Sequence, residues 1–250
     1  MTRPIPRRWQ AAALLAAVGL LACDPAAPLA STTDEAMVYL VLAVEPPITM
    51  QPGVFALIAN TGTPYTLDFR PASRLDLRRS PDGAAFAWRE VASQSSGFVR
   101  GNYEMPESTS AAGLGWQQLA PGEQYNLEIE TQGRLVVGRT TIPERPMLRL
   151  RRGVGVDTVI WNRAGGAVAY AFRDLDLTTD TMFVVPSPLP DDNTYFVTAY
   201  EQNLYTYLRD STTLRSGITG AFGLFGARVT VTITIPGTRS MGRAVMSSDH

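Results

Sequence analysis

The most regular alternation of apolar and polar positions lies in PGEQYNLEIE, where Tyr125, Leu127 and Ile129 alternate with Asn126, Glu128 and Glu130. A period of two predicts a strand with one buried and one wet face. Gln132-Gly133 then turns the chain into Leu135 to Thr141, which predicts a hairpin. Other runs rich in β-branched and aromatic residues predict further strands: Met37 to Val44, stopped by Pro46-Pro47, then Val54 to Ile58, while Gly101 to Met105 leads to a loop around Ser108 to Gly115. Leu75 to Arg78 and Ala84 to Val91 flank Ser80-Pro81-Asp82-Gly83, a turn signal that predicts a second hairpin.

Past Ile142-Pro143 and Pro146 the same style resumes. Val154 to Trp161, Ala167 to Phe172, Met182 to Val185, Tyr195 to Tyr200 and Val229 to Ile235 are the predicted strands, the last with strict β-branched alternation. Gln202 to Asp210, carrying Leu204, Tyr205, Tyr207 and Leu208, fits one or two helical turns or an extended aromatic strand. Short strands with frequent turns predict an all-β chain of two immunoglobulin- or fibronectin-like sandwich domains. The Pro-rich interval sets their limits at 36–143 and 147–236, with a flexible polar tail over 237–250.

The N-terminus has a different pattern. Arg3, Arg7 and Arg8 precede an uncharged run from Ala11 to Ala22, too short to span a bilayer at about 20 apolar residues. This is the layout of a secretory signal peptide. Leu20-Leu21-Ala22-Cys23 resembles the lipobox of bacterial lipoproteins, which implies cleavage after residue 22 and a lipid, such as palmitate, on Cys23. Residues 23–35 then form a polar tether. The rival reading is an ordinary secreted chain in which the cysteine only happens to follow the apolar run. Asp24 resembles an inner-membrane retention signal, so the expected address is the cell envelope, at either the outer membrane or the periplasmic face of the inner membrane.

Composition narrows the chemistry. With 45% hydrophobic residues, 18% charged residues, 21 Gly and 18 Pro, the chain is globular and rich in turns. Cys23 is the single cysteine, which leaves no intrachain disulfide. Losing Arg3, Arg7 and Arg8 with the leader takes the formal charge from −1 to −4, the wrong sign for a nucleic-acid partner. Every basic residue is arginine, which removes Schiff-base lysine chemistry. The sole histidine is His250, so a Ser-His-Asp triad or a histidine-ligated zinc would rest on the last residue.

Trp161, nine residues before Tyr170, with Leu189-Pro190 and the alternating Tyr195, Val197 and Ala199, resembles the fibronectin type III module. That resemblance implies a tryptophan packed between sheets and a tyrosine corner. A wider set of features resembles the family catalogued as domain of unknown function 4249. The set comprises a strand after the cysteine, Gly101-Asn102-Tyr103, Pro121-Gly122-Glu123 with Tyr125 and Leu127, Thr140-Thr141-Ile142-Pro143, Trp161, and the glycine-aromatic segment Gly217 to Ala227. The family implies an envelope lipoprotein with two β-rich domains and no assigned activity. In the glycine-aromatic segment the glycines allow positive φ and close backbone approach, and Phe222 and Phe225 anchor it to the core. A phosphate-cradling loop there would lack its lysine and following helix.

Three charged groups are candidate sites. Asp174 and Asp176 fall on one face of a strand, where paired carboxylates suit calcium or acid-base work, but the glycine and distal glutamate of an EF-hand are missing. A solvated turn beside Arg173 accounts for them, and Asp191-Asp192 reads as turn chemistry. Arg149, Arg151 and Arg152 put two guanidinia on one strand face, fit for an anionic ligand or for carboxylate pairing. The sequence therefore predicts no catalytic residue, no cofactor and no metal. It predicts a binding or assembly module for an envelope protein, such as an outer-membrane transporter, or for a saccharide. The alternative is a carboxylate-dependent, glycosidase-like hydrolase, for which a concave aromatic-lined groove with paired acids would be the sign.

Overall fold

The computed structural model describes residues 36–45, 55–61, 67–69, 71–91, 102–153, 156–173, 176–186, 194–210 and 215–234, with 55–61, 67–69 and 186 described as backbone. The fold is all-β, with several sheets and, among the described residues, one α-helix. In chain order the strands are β1 (Ala36–Val44), β2 (Phe55–Thr61), β3 (Leu67–Phe69), β4 (Arg74–Arg79), β5 (Arg89–Glu90), β6 (Asn102–Glu104), β7 (Gln124–Thr131) and β8 (Arg134–Thr141). Then come β9 (Leu148–Arg152), β10 (Val156–Trp161), β11 (Ala169–Phe172), β12 (Met182–Pro186), β13 (Thr194–Tyr200), α1 (Gln202–Arg209), β14 (Arg215–Ser216), β15 (Ile218–Thr219) and β16 (Phe222–Thr234).

Hydrogen bonding groups them into three sheets. The largest has nine strands, with the path β11-β13-β16-β1-β2-β6-β5 and β14 and β3 attached to β16 and β2. A second has the order β15-β8-β7-β4 and a third β12-β10-β9. At the centre of the nine-stranded sheet β1 runs parallel to β16, from Met37 opposite Phe222 to Val44 opposite Val229. Hydrogen bonding thus crosses the interval 142–146, because β1 precedes it in the chain and β16 follows it. The core crosses it as well: Val38, Leu40 and Leu42 of β1, Tyr125 and Leu127 of β7, Val159 and Trp161 of β10, and Phe225 and Val229 of β16 belong to one buried cluster.

Local chemistry explains the elements. The β7–β8 hairpin closes on Gln132 (φ 51°) and Gly133 (φ 71°), two successive left-handed residues whose twist matches that of the flanking strands. Tyr125, Leu127 and Ile129 are buried and Glu128 and Glu130 exposed, as their alternation predicts. The segment Gln202 to Asp210 adopts the helical alternative. Glu201 caps it, accepting from the Asn203 and Leu204 backbone N–H groups.

One expectation needs correction. Ala84 to Val91 does not form a ladder with β4. The turn closes, with Gly83 N–H donating to the Arg79 carbonyl at 2.9 Å, but only an isolated bridge between Arg78 and Ala85 follows. Phe86 instead enters the core against Tyr125, with ring centroids 5.7 Å apart, and β4 takes its ladder from β7. In the glycine-aromatic segment Phe222 to Ala227 forms the first half of β16, with Phe225 fully buried and Phe222 half-buried beneath the Arg215 guanidinium.

Candidate functional site: a charged groove on the four-stranded sheet

The outward positions of β4, β7 and β8 follow from their alternation. Leu77, Leu127, Ile129 and Val136 turn inward, which leaves Arg74, Asp76, Arg78, Asn126, Glu128, Glu130, Val137 and Arg139 on the other side. In register, Asp76 stands opposite Glu128 and Arg78 opposite Asn126; across the next pair of strands, Arg139 stands opposite Asn126. With Gly217 and Thr219 at the β15 end, Asp76, Arg78, Asn126, Glu128, Val137 and Arg139 line an open groove of about 740 Å³, and Arg74 and Glu130 lie beside it on the same face.

Two carboxylates directly opposite one another repel, so the sheet needs local cations. The arginines supply them. Asp76 Oδ2 accepts from Arg74 at 3.1 Å and from Arg78 at 3.0 Å, and Arg74 also reaches Glu128 at 3.4 Å and Glu130 at 3.6 Å. Partial burial works to raise the pKa of Asp76, but hydrogen bonds and charge from Arg78 and Arg74 outweigh it and hold the carboxyl below its ordinary value. It is therefore an anion at neutral pH and has no proton to give a leaving group. The groove has the paired acids expected of a glycosidase, but its lining includes no aromatic side chain among the described residues.

One end of the groove is held by a buried polar cluster. Glu201 is 5% exposed; its Oε1 accepts from Leu204 N–H at 2.8 Å and Ala227 N–H at 3.0 Å, and its Oε2 from Asn203 N–H at 2.6 Å. Burial raises its pKa, opposed by these three backbone donors. The Asn203 amide donates to the Arg139 carbonyl at 2.9 Å and the Phe225 carbonyl at 3.1 Å, and Ser216 Oγ donates to the Asn203 carbonyl at 2.7 Å. The cluster thereby joins α1 to β8 and β16 and fixes the β14–β15 edge, where Gly217 lies.

The residues singled out in the sequence fall elsewhere. Cys23, Asp174, Asp191, Asp192 and His250 lie outside the described residues. Asp176 lines a second groove of about 550 Å³ with Arg173, Glu45 and Arg228, in which Arg228 is ion-paired to Glu45. Arg173 takes a left-handed φ of 57° with its guanidinium 5.5 Å from the centre of the Tyr195 ring. Arg152 approaches the buried Asp157 at 3.9 Å, whereas Arg149 and Arg151 are exposed. Among the described residues no three of His, Cys, Asp and Glu gather closely enough to hold a metal, and no helix is long and apolar enough to cross a membrane.

Sequence reasoning did not bring Asp76, Arg78, Glu128 and Arg139 together. Their wet-face alternation was visible, but β4 was expected to pair with the following segment rather than with β7, about 50 residues on. Glu201 also carried no signal, because glutamate is not among the favoured N-cap residues. No protein-family model matches the chain, and no curated protein does either.

Proposed function

We propose that this chain is a non-catalytic cell-envelope lipoprotein, held at a bacterial membrane by a lipid on Cys23, whose body binds an envelope protein partner across the charged groove. The basic leader, the apolar run and Leu20-Leu21-Ala22-Cys23 support the anchor. One observation carries the binding role: the groove's facing acids, Asp76 and Glu128, are held by the guanidinium groups of Arg74 and Arg78 rather than left available for proton transfer. A lining of arginine, carboxylate, asparagine and threonine with the aliphatic Leu127, Val137 and Ile218 suits a protein strand or loop of mixed character. Saccharides are commonly held by stacking on aromatic faces, and this lining supplies none. Resemblance to the family of domain of unknown function 4249 favours the same reading, with an outer-membrane transporter as one class of such a partner.

The hydrolase alternative retains one supporting observation, the cross-strand position of Asp76 and Glu128. Side chains so placed have Cβ atoms about 4.5 to 5.5 Å apart, within reach of the roughly 5 to 5.5 Å carboxyl separation of retaining glycosidases. A screen of glycoside, ester and peptide substrates separates the two readings. No turnover is expected; turnover abolished by Asp76→Asn with Glu128→Gln would make the groove an active site. For the anchor, labelled palmitate is expected in the native chain and absent from Cys23→Ser; label retained in that variant would place the lipid elsewhere.

A further inference from the structure

The three-stranded sheet presents an outer face that the groove does not use. In its antiparallel ladders Arg149 stands opposite Ile160 and Ile160 opposite Met182, while Arg151 stands opposite Thr158 and Thr158 opposite Val184. Directly opposed residues project from the same side of a sheet. Two rows, Arg149-Ile160-Met182 and Arg151-Thr158-Val184, therefore share one face, and Val159, Trp161 and Val185 on the other are buried. On the outer face Met182 is 52% exposed, Val184 51% and Val156 44%; Met147, two residues before Arg149, is 63% exposed. Guanidinia thus run along the β9 edge and aliphatic side chains along the β12 edge, about 10 Å away across two strand spacings.

Grouped exposed apolar side chains mark an interaction surface, and the chemistry of this one selects the partner. Its projecting groups are aliphatic apart from two guanidinia and the Thr158 hydroxyl. A peptide or saccharide needs donors and acceptors in register, and arginine supplies donors only. The described face carries no carboxylate, so a second copy would offer Arg149 and Arg151 no counter-charge. An anionic bilayer matches both edges: its phosphates accept from the guanidinia and its acyl region takes Met182, Val184 and Val156.

We propose that the outer face of β9, β10 and β12 rests on an anionic phospholipid surface, with Arg149 and Arg151 on the headgroup phosphates and Met182 and Val184 inserted beside them. Two arginines bind such a surface weakly on their own, so the contact acts on a body already tethered and rests on the N-terminal attachment proposed above. Its role is to fix the orientation of the body, and so of the groove, relative to the membrane.

The test uses the full chain incorporated into vesicles, with a polarity-sensitive fluorophore on Val184→Cys and, as control, on Leu135→Cys, which is 55% exposed on the four-stranded sheet. The unsubstituted chain reports any label on Cys23. Flotation with the vesicles reads attachment, and quenching by a lipid-borne nitroxide reads contact of the face. The 184 label is expected to be quenched in vesicles containing phosphatidylglycerol and not in pure phosphatidylcholine, with the 135 label quenched in neither. Arg149→Ser with Arg151→Ser should weaken that quenching roughly tenfold or more. Equal quenching at both positions, none at 184, or no effect of removing the arginines would overturn the proposal. Chains that do not float would refute the attachment, while the same label read on free chain at high phosphatidylglycerol still decides the face. Shielding of the 184 label in native membranes without quenching in vesicles would assign the face to a protein neighbour, and that too would overturn it.

Discussion

Glu201 shows how much one residue can hold. Its carboxylate serves the first turn of α1 and the Ala227 N–H of β16, so a truncation leaves two buried donors and one part-buried donor without an acceptor. Glu201→Ala should therefore destabilise the fold by about 2 to 4 kcal/mol in chemical denaturation, more than an ordinary cap. The pH dependence has a definite sign. Burial raises the folded-state pKa, so the folded state binds the proton more tightly than the unfolded chain. The resulting stability is complete below the ordinary glutamate value of 4.5 and is lost as pH rises through the raised value. Wild type should gain on Glu201→Gln as pH falls from 7 across that window; a constant difference would mean that the backbone donors cancel the effect of burial and the pKa is not raised. Gly223 makes a different demand. At φ 111° it presses against the Val38 carbonyl, and an added Cβ would collide with it inside the β1–β16 ladder. Gly223→Ala should lose about 3 kcal/mol or more, against roughly 1 kcal/mol for Gly133→Ala, which has a left-handed φ but open space around it.

At the scale of elements, two tyrosines fasten strand ends in the same way. Tyr125 at the start of β7 accepts from the Ala120 N–H at 2.8 Å, and Tyr170 in β11 from the Ala164 N–H at 2.8 Å. Both rings are buried, and Tyr170 lies 5.8 Å from Trp161, which is 3% exposed. Tyr125→Phe and Tyr170→Phe should each lose about 1 to 2 kcal/mol, since each leaves a backbone donor without its partner. Trp161→Ala should lose about 3 to 5 kcal/mol; a loss below 1 kcal/mol would contradict its place in the core. Much of this level was legible in the sequence. Alternation placed β7, turn chemistry placed its hairpin with β8, and β-branched runs placed β1, β13 and β16. What could not be read was pairing at a distance. The period of two in Leu75 to Arg78 says which side chains are wet but not which strand lies alongside. The groove depends on that missing fact, because Asp76 and Glu128 become neighbours only when β4 pairs with β7.

At the scale of the molecule, the parallel β1–β16 ladder joins the two ends of the described chain. It runs for eight residue pairs through the centre of the largest sheet, and its inward side chains share one core with β7 and β10. Parallel pairing of segments this far apart leaves no local trace, since the composition of neither strand names its neighbour. Its consequence is measurable: thermal unfolding should give a single transition with equal calorimetric and van't Hoff enthalpies, and two resolved transitions would mean that 36–143 and 147–236 melt independently. The ladder also sets the groove and the outer face of β9, β10 and β12 on one body, which suits a protein that presents a binding surface at a membrane. Site-specific crosslinking in native membranes, from a photoreactive residue at Thr219 in the groove, tests this contact role most directly. One discrete protein adduct is expected, lost in Arg78→Ala with Arg139→Ala while the substituted chain keeps its melting transition. No adduct from Thr219, or an adduct unchanged by removing those arginines, would contradict it.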